Sequence, residues 1–314
     1  MNEYNFCPRC GKALQNRFLH GRNRPVCPAC GYVVYLDPKV GAGVVVEVDG
    51  RVVLVRRGME PMRGHWSLPS GYVERDETPD ATAARETLEE TGLQVGVDNL
   101  LNVYSFEHQG SGGRGVLVLY SAHVIGGELR AGDDADEVRT FAPDELPSDI
   151  AFESHRQALR EWRRAKAIVY RLATAEEAGT VAGINLRFRS EIGTAYPPAE
   201  PGEGALFVAV DRSEVVGYAY LALRPSRNTA NLDQIFVLPS HRRWGVATHL
   251  MNAAVGLAKE KRLRAVLARV QAASPALIFY IKAGFGVVGF AHDYEVAAEV
   301  EPGPSLCLAY PLSE

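Results

Sequence analysis

The apolar and polar positions of the chain change period several times, and each change marks an element. Residues 40–48 form a nearly continuous apolar run. Within it, residues 43–48, then Asp49-Gly50, then residues 51–57 read as strand, two-residue turn and strand. A helix is predicted over residues 79–91, with Thr78 as N-cap, Pro79 at the first helical position and Gly92 just past the end. Alternation over 101–107 and 116–124 predicts two strands joined by the glycine-rich stretch 110–115. No helix follows those glycines, so they read as a hairpin loop and not as a phosphate cradle. Residues 150–166 are helical in pattern, with Phe152, Ala158, Leu159 and Trp162 on the apolar side.

Strand, helix and strand signals restart at Ile168, continue through 206–210 and 215–223, and lead to 232–237. A helix over 246–261 and a last strand near 306–310 complete a second mixed α/β unit. The expected domains are therefore residues 1–38, 39–166 and 167–314, a multi-domain α/β chain led by a small cysteine-bearing module.

Composition alters this picture little. The chain has 314 residues, 46% hydrophobic and 23% charged, which excludes disorder and collagen-like structure and supplies apolar material for real cores. Its apolar runs fall short of the roughly 18 residues that a membrane span needs. The first residues lack a basic segment followed by an apolar one, so a cytoplasmic location is expected and a disulfide scaffold is not. Net charge is -4. Residues 1–40 are locally basic through Arg9, Lys12, Arg17, Arg22, Arg24 and Lys39; read as having no aromatic residues interleaved to stack bases, this stretch is expected to be a solvated surface, and nucleic acid is not expected as a partner.

Four of the five cysteines form Cys7-x2-Cys10 and Cys27-x2-Cys30, with sixteen residues between the pairs. Four thiolates at this spacing suit one tetrahedral Zn2+. A redox dithiol would need only one pair. Filling all four positions with sulfur leaves no place for water, so the metal is expected to be structural. Cys307, alone in a strand, reads as a small core residue.

On the helix over 79–91, Glu86, Glu89 and Glu90 lie at i, i+3 and i+4 and share one face. Such an oxygen-only cluster suits Mg2+ or Mn2+. Carboxylate spacing alone would more often mean a solvated acidic face. The context is fuller: Gly71, five residues, Glu77, seven residues, Arg85-Glu86, two residues, Glu89-Glu90, one residue and Gly92. This resembles the Nudix hydrolases over residues 40–165, an α/β/α sandwich with a mixed sheet. Thr87 departs from the family's bulky aliphatic residue.

The resemblance implies that Glu86, Glu89, Glu90 and the Gly71 carbonyl hold divalent ions, while Glu77 and Arg85 pair to fix the loop. It implies hydrolysis of a nucleoside diphosphate-linked substrate, with Glu90 or the acidic loop 133–137 offering the proton acceptor. The ribbon in front is similar to that of Nudix enzymes acting on ADP-ribose, FAD or NADH. Neither the long NADH-type signature after Gly92 nor the proline of many ADP-ribose enzymes is present, and an ADP-ribose or FAD type is favoured over NADH.

A strand over 232–237 leads through Leu238-Pro239-Ser240-His241 into Arg242-Arg243-Trp244-Gly245-Val246-Ala247, the start of a helix and a natural anion site. With Ala276-Leu277-Ile278-Phe279-Tyr280 and Gly284-Phe285 some thirty residues later, residues 168–314 resemble the GNAT acyltransferases. That resemblance implies that Arg242, Arg243, Gly245, Val246, Ala247 and Thr248 bind the pyrophosphate of acetyl-CoA, that Phe236 and Val237 pair along its pantetheine, and that Tyr280 protonates the leaving thiolate. Ala273 replaces a frequent asparagine, Asp233 is a candidate base, and the amine acceptor is unspecified. Tyr280 reads equally as a core aromatic.

The expected whole is a bifunctional enzyme. The competing reading is a nucleotide-sensing adaptor with a non-hydrolytic Nudix unit whose ribbon contacts nucleic acid or protein. The complete set of Arg85, Glu86, Glu89 and Glu90 speaks against it. Dimerisation is left open.

Overall fold

The computed structural model describes residues 4–107, 113–132, 134–188, 204–292 and 304–312. The chain divides into two compact units, Met1–Leu159 and Arg160–Glu314.

The first unit opens with a hairpin of β1 (Gln15–Leu19) and β2 (Arg22–Val26), closed by His20 and Gly21 at φ 50° and 76°. A mixed sheet follows, built from β3 (Lys39–Val48), β4 (Arg51–Arg57), β5 (Trp66–Ser67), β6 (Ser70–Tyr72), β7 (Leu93–Glu107), β8 (Arg114–Gly127) and β9 (Ala135–Phe141). The main order is β5-β4-β3-β8-β7, with β6 on β3 and β9 on β4. β3 and β8 run parallel, in register from Lys39↔Gly115 to Val46↔Ala122. The apolar run of β3 and β4 is continuous because both faces are covered: Val44, Val46, Val52, Val53 and Leu54 are all buried. Asp49 and Gly50 turn the hairpin with φ of 52° and 75°, the backbone that a two-residue turn of this hand requires.

Helix α1 (Pro79–Thr91) packs on this sheet through Ala83, which joins Ala42, Val44, Val46, Val53, Leu93 and Val95 in one core. Gly92 ends it in the left-handed region at φ 72°, its N–H returning to Leu88 O. At the other end the expected N-cap is in place. Thr78 occupies the N-cap position, but its hydroxyl makes no capping hydrogen bond. A correction concerns the acidic stretch 133–137. Asp133 lies outside the described residues, and from Ala135 onward the chain is strand β9, paired with β4. The tip of the glycine-rich hairpin, 110–112, also lies outside them, although Glu107 pairs with Arg114 across its base. Helix α2 (Glu153–Lys166) starts three residues later than predicted and crosses the border between the units.

The second unit holds β10 (Val169–Leu172), α3 (Ala175–Arg187), β11 (Gly204–Asp211), β12 (Glu214–Arg224), β13 (Thr229–Val237), α4 (Val246–Glu260), β14 (Ala265–Gln271), α5 (Ala276–Lys282), β15 (Gly286–His292) and β16 (Pro304–Pro311). Its sheet order is β10-β11-β12-β13-β14-β16-β15. One core, including Leu221, Leu232, Val246, Leu250, Ala254, Tyr280 and Phe285, lies under α4 and α5; another, with Val181, Val208, Tyr218 and Phe236, lies under α3. The parallel ladder between β13 and β14 has four pairs and stops at Leu232↔Ala268, while β13 runs on to Val237. One residue further, Asp233 is the extra residue of a β-bulge, since Tyr220 faces Gln234 and Leu221 faces Leu232. Cys307 is half-buried in β16. Among the described residues, no helix is long and apolar enough to cross a membrane.

Candidate functional sites

The two cysteine pairs fold as near-copies. In each, a glycine at positive φ, Gly11 at 71° and Gly31 at 72°, closes a turn by donating to the carbonyl of Cys7 or Cys27. The four Sγ atoms lie within 4.8 Å of one another, with Cys7–Cys30 at 3.7 Å and Cys10–Cys27 at 3.4 Å. Sulfurs about 2.3 Å from a tetrahedral zinc would stand about 3.8 Å apart, so this donor set fits the ion. Among the described residues it is the one cluster of three or more such groups converging this closely. The reason for setting aside the basic excess of the ribbon does not hold, because Phe6, Phe18 and Tyr35 are exposed on it and the Arg24 guanidinium lies 4.7 Å over the Tyr35 ring.

On α1 the glutamates face the strand that carries Gly71. Arg85 organises them. Its Nε and one terminal nitrogen donate to the two oxygens of Glu77 at 2.6 and 2.9 Å; the other terminal nitrogen donates to Glu86 at 2.8 Å and Glu89 at 2.7 Å. Hydrogen bonds from Arg85 and Thr82 pull the Glu77 carboxyl down to about 2. Glu86 lies flat against Gly71, where a Cβ would stand 2.1 Å from its carboxyl carbon. Burial raises the Glu86 carboxyl above the usual carboxylate range.

Glu90, 8% exposed, accepts the Ser70 N–H at 3.0 Å. Burial pushes its carboxyl up to about 8, with Glu86 and Asp134 adding to the effect. The three carboxylates are thus oxygen donors on one helix face, with Glu86 in a Gly71 cradle that a side chain would fill and Glu90 on the neighbouring Ser70 amide. Glu86 and Glu89 are held by Arg85 and do not converge with Glu90 to the tightness of the cysteines. Thr87 is no defect: its buried hydroxyl donates to Ala83 O at 2.6 Å.

In the second unit, β13 ends where the turn to α4 begins. Gly245 caps α4 at φ 81° with no side-chain capping hydrogen bond, so no side chain occupies the first N–H groups of the helix, at Val246, Ala247 and Thr248. Arg242 folds back, donating to Val237 O at 2.9 Å with its guanidinium 5.5 Å from the Phe236 ring. Arg243 is exposed and holds φ 72°. Phe236 and Val237 turn their side chains into the cores, while their backbone lies beyond the end of the β13–β14 ladder. Tyr280 is 5% exposed, edge-on to Phe279 and Phe285, and burial holds its phenol up at about 12. Asp233 is half-buried, and burial raises its carboxyl.

Several residues were invisible in the pattern. His241, buried just before Arg242, joins Ser240 Oγ at 2.9 Å and Asp211 at 3.2 Å, and Arg164 donates to the same Asp211 oxygen. Asn185 bridges Tyr218 and Gln234 between α3 and the bulged part of β13. Apart from the Ser240–His241 pair, these contacts span 30 to 49 residues of sequence and leave no local periodicity.

Residues 37–162 match the NUDIX domain, residues 5–36 the Nudix N-terminal module, a zinc ribbon, and residues 185–285 the Acetyltransferase (GNAT) family. An ADP-ribose pyrophosphatase of Methanocaldococcus jannaschii is 38% identical over 135 residues, 43% of this chain and 79% of the relative. A MutT-like protein of Streptomyces ambofaciens is 39% identical over 110 residues, 35% and 67% of the two chains. A NUDIX hydrolase structure from Nitrosomonas europaea is 36% identical, covers 51% of this chain and 90% of its own, and aligns with a TM-score of 0.47. The chain belongs to the Nudix family. It is an enzyme in which a zinc-ribbon module and a Nudix hydrolase domain precede a GNAT acetyltransferase domain.

Proposed function

We propose that the Nudix unit cleaves the diphosphate of an ADP-ribose- or FAD-type nucleotide, and that the GNAT unit transfers acetyl from acetyl-CoA to an amine. Glu86, Glu89, Glu90 and the Gly71 carbonyl would hold Mg2+ or Mn2+, and Cys7, Cys10, Cys27 and Cys30 a structural Zn2+. The cytoplasm, where thiols stay reduced, suits this set. A bound divalent ion supplies neutralisation of phosphate-oxygen charge and an acidified water. Arg85 fixes Glu86 and Glu89, Glu77 fixes Arg85, and Ser70 orients Glu90; its carboxyl, raised by burial to about 8, would be ionised by a divalent ion held beside it and could then accept the proton of the attacking water.

The observation that carries this reading is a buried carboxylate, Glu90, set beside two carboxylates that share one guanidinium. The similarity to an ADP-ribose pyrophosphatase supports the substrate class. In the GNAT unit, the open start of α4 receives the pyrophosphate of the cofactor, the β13 backbone beyond the ladder pairs with pantetheine, and Tyr280, protonated at neutral pH, gives its proton to the departing thiolate.

The test is turnover of ADP-ribose, FAD, NADH, diadenosine polyphosphates and nucleoside triphosphates with Mg2+ or Mn2+, reading AMP by chromatography, with Glu90→Gln as control. AMP from ADP-ribose or FAD is expected. Silence across the panel, or an undiminished Glu90→Gln, overturns the hydrolase half. Calorimetry of the full chain with acetyl-CoA decides the other half.

A further inference from the structure

We propose that His155, on α2 and 65 residues beyond Glu90 in sequence, is a positioning residue for the glutamate site, acting through the strand segment that carries Gly71. The inference rests on the reading of Glu90 given above. A chain of three hydrogen bonds connects the two residues. His155 Nδ1 accepts the Leu68 N–H at 3.1 Å, Ser70 Oγ donates to Leu68 O at 3.1 Å, and Ser70 N–H donates to Glu90 Oε2 at 3.0 Å.

The backbone accounting shows why the imidazole matters. Trp66 N–H donates to Asp149 O and Trp66 O accepts from Ala151 N–H, while Pro69 O accepts from Val44 N–H. These bonds tie the segment at Trp66 and at Pro69. Between them lies Leu68, fully buried, whose amide hydrogen has to find an acceptor inside the protein. His155, 3% exposed, supplies it, and its ring is set edge-on against Phe152 at 5.2 Å. With Nδ1 accepting, the ring proton sits on Nε2. Burial holds the imidazole down to about 3, so it remains a neutral acceptor throughout the working range and fixes the segment without switching it.

Residues 68–70 carry the amide that aims Glu90 and lead directly into Gly71, which cradles Glu86. A shift of Leu68 would therefore move the partner of one carboxylate and the floor beneath another.

The full-length protein is compared with His155→Leu, which removes the acceptor, and His155→Asn, whose amide oxygen can take the place of Nδ1. Three measurements are read: hydrogen exchange of peptides covering 66–72, Mn2+ affinity by electron paramagnetic resonance, and steady-state AMP release. His155→Leu is expected to speed exchange in that segment and to cost about 10- to 100-fold in Mn2+ affinity and kcat, with little change in nucleotide KM. His155→Asn restores most of each loss. A folded His155→Leu protein with wild-type exchange and Mn2+ affinity overturns the proposal, as does an Asn variant no better than Leu. If His155→Leu fails to fold, Ser70→Ala breaks the same chain without opening a core cavity, and the same shifts are required of it. If the wild type hydrolyses nothing, the hydrolase reading fails while exchange and Mn2+ affinity still decide the role of His155.

Discussion

Arg85 grips Glu77 with two nitrogens, at 2.6 and 2.9 Å, while its third reaches Glu86 and Glu89. One planar guanidinium thus sets the spacing of three carboxylates. A lysine there keeps the charge but loses the fork. Arg85→Lys is expected to lower kcat for AMP release by roughly 10²-fold, the scale of a small misplacement at a reacting centre. Circular dichroism should show an unchanged fold.

Gly71 gives a prediction about space. Its φ lies outside the left-handed region, so alanine meets no backbone penalty; the added methyl would instead lie 2.1 Å from the Glu86 carboxyl. Gly71→Ala is expected to cost about 1–3 kcal/mol in urea unfolding, the range of overpacking, and to raise the Mg2+ concentration needed for half activity.

The cysteine cluster predicts one zinc per chain by elemental analysis, lost in Cys10→Ser and on chelation at mildly acidic pH. Loss of the ion should unfold residues 5–36 first, seen as rapid hydrogen exchange there, because so small a module has almost no core of its own. Hydrolysis by the remaining Nudix unit is expected to fall less than the exchange rate rises.

His155 predicts the sign of a pH effect. Its folded value is about 3, against 6.5 when free, so the unfolded chain takes up a proton between those values and the folded chain does not. Stability from this group is complete above about 6.5 and is lost as pH falls, with a slope approaching about 1.4 kcal/mol per pH unit. Urea midpoints of the wild type should drop more steeply from pH 6.5 to 5 than those of His155→Asn. Equal slopes would show that the imidazole is not held neutral.

Much of this architecture could be read from local chemistry. Pro79 and Gly92 bracket α1 correctly, Asp49-Gly50 marks its hairpin, and the cysteine spacing brings four sulfurs together. The glutamates share a helix face because the helix period demands it. What escaped depends on distant partners. The run after Asp134 looked like a loop because its acidic residues hide strand β9, whose pairing with β4 lies some eighty residues away. The helix signalled after Ile168 carries no bounds in the apolar pattern, although its start is readable: Thr174 and Glu177 form a reciprocal capping box. His155 and His241 gave no sign, since a lone histidine in a helix or turn acquires meaning only from what folds against it.

The short ladder between β13 and β14 has a consequence for how the second unit meets a ligand. Most sheets keep their unpaired backbone at the rim, where charge or curvature protects it. This one also has an edge in its own middle, over residues 233–237. An extended molecule bearing amides at peptide-like intervals would add there as a strand adds to a sheet. Recognition would then rest on main-chain groups, which side-chain substitutions leave in place. Under the acetyl transfer proposed above, drift in the surrounding sequence would then alter the amine accepted and leave the hold on the acyl donor in place.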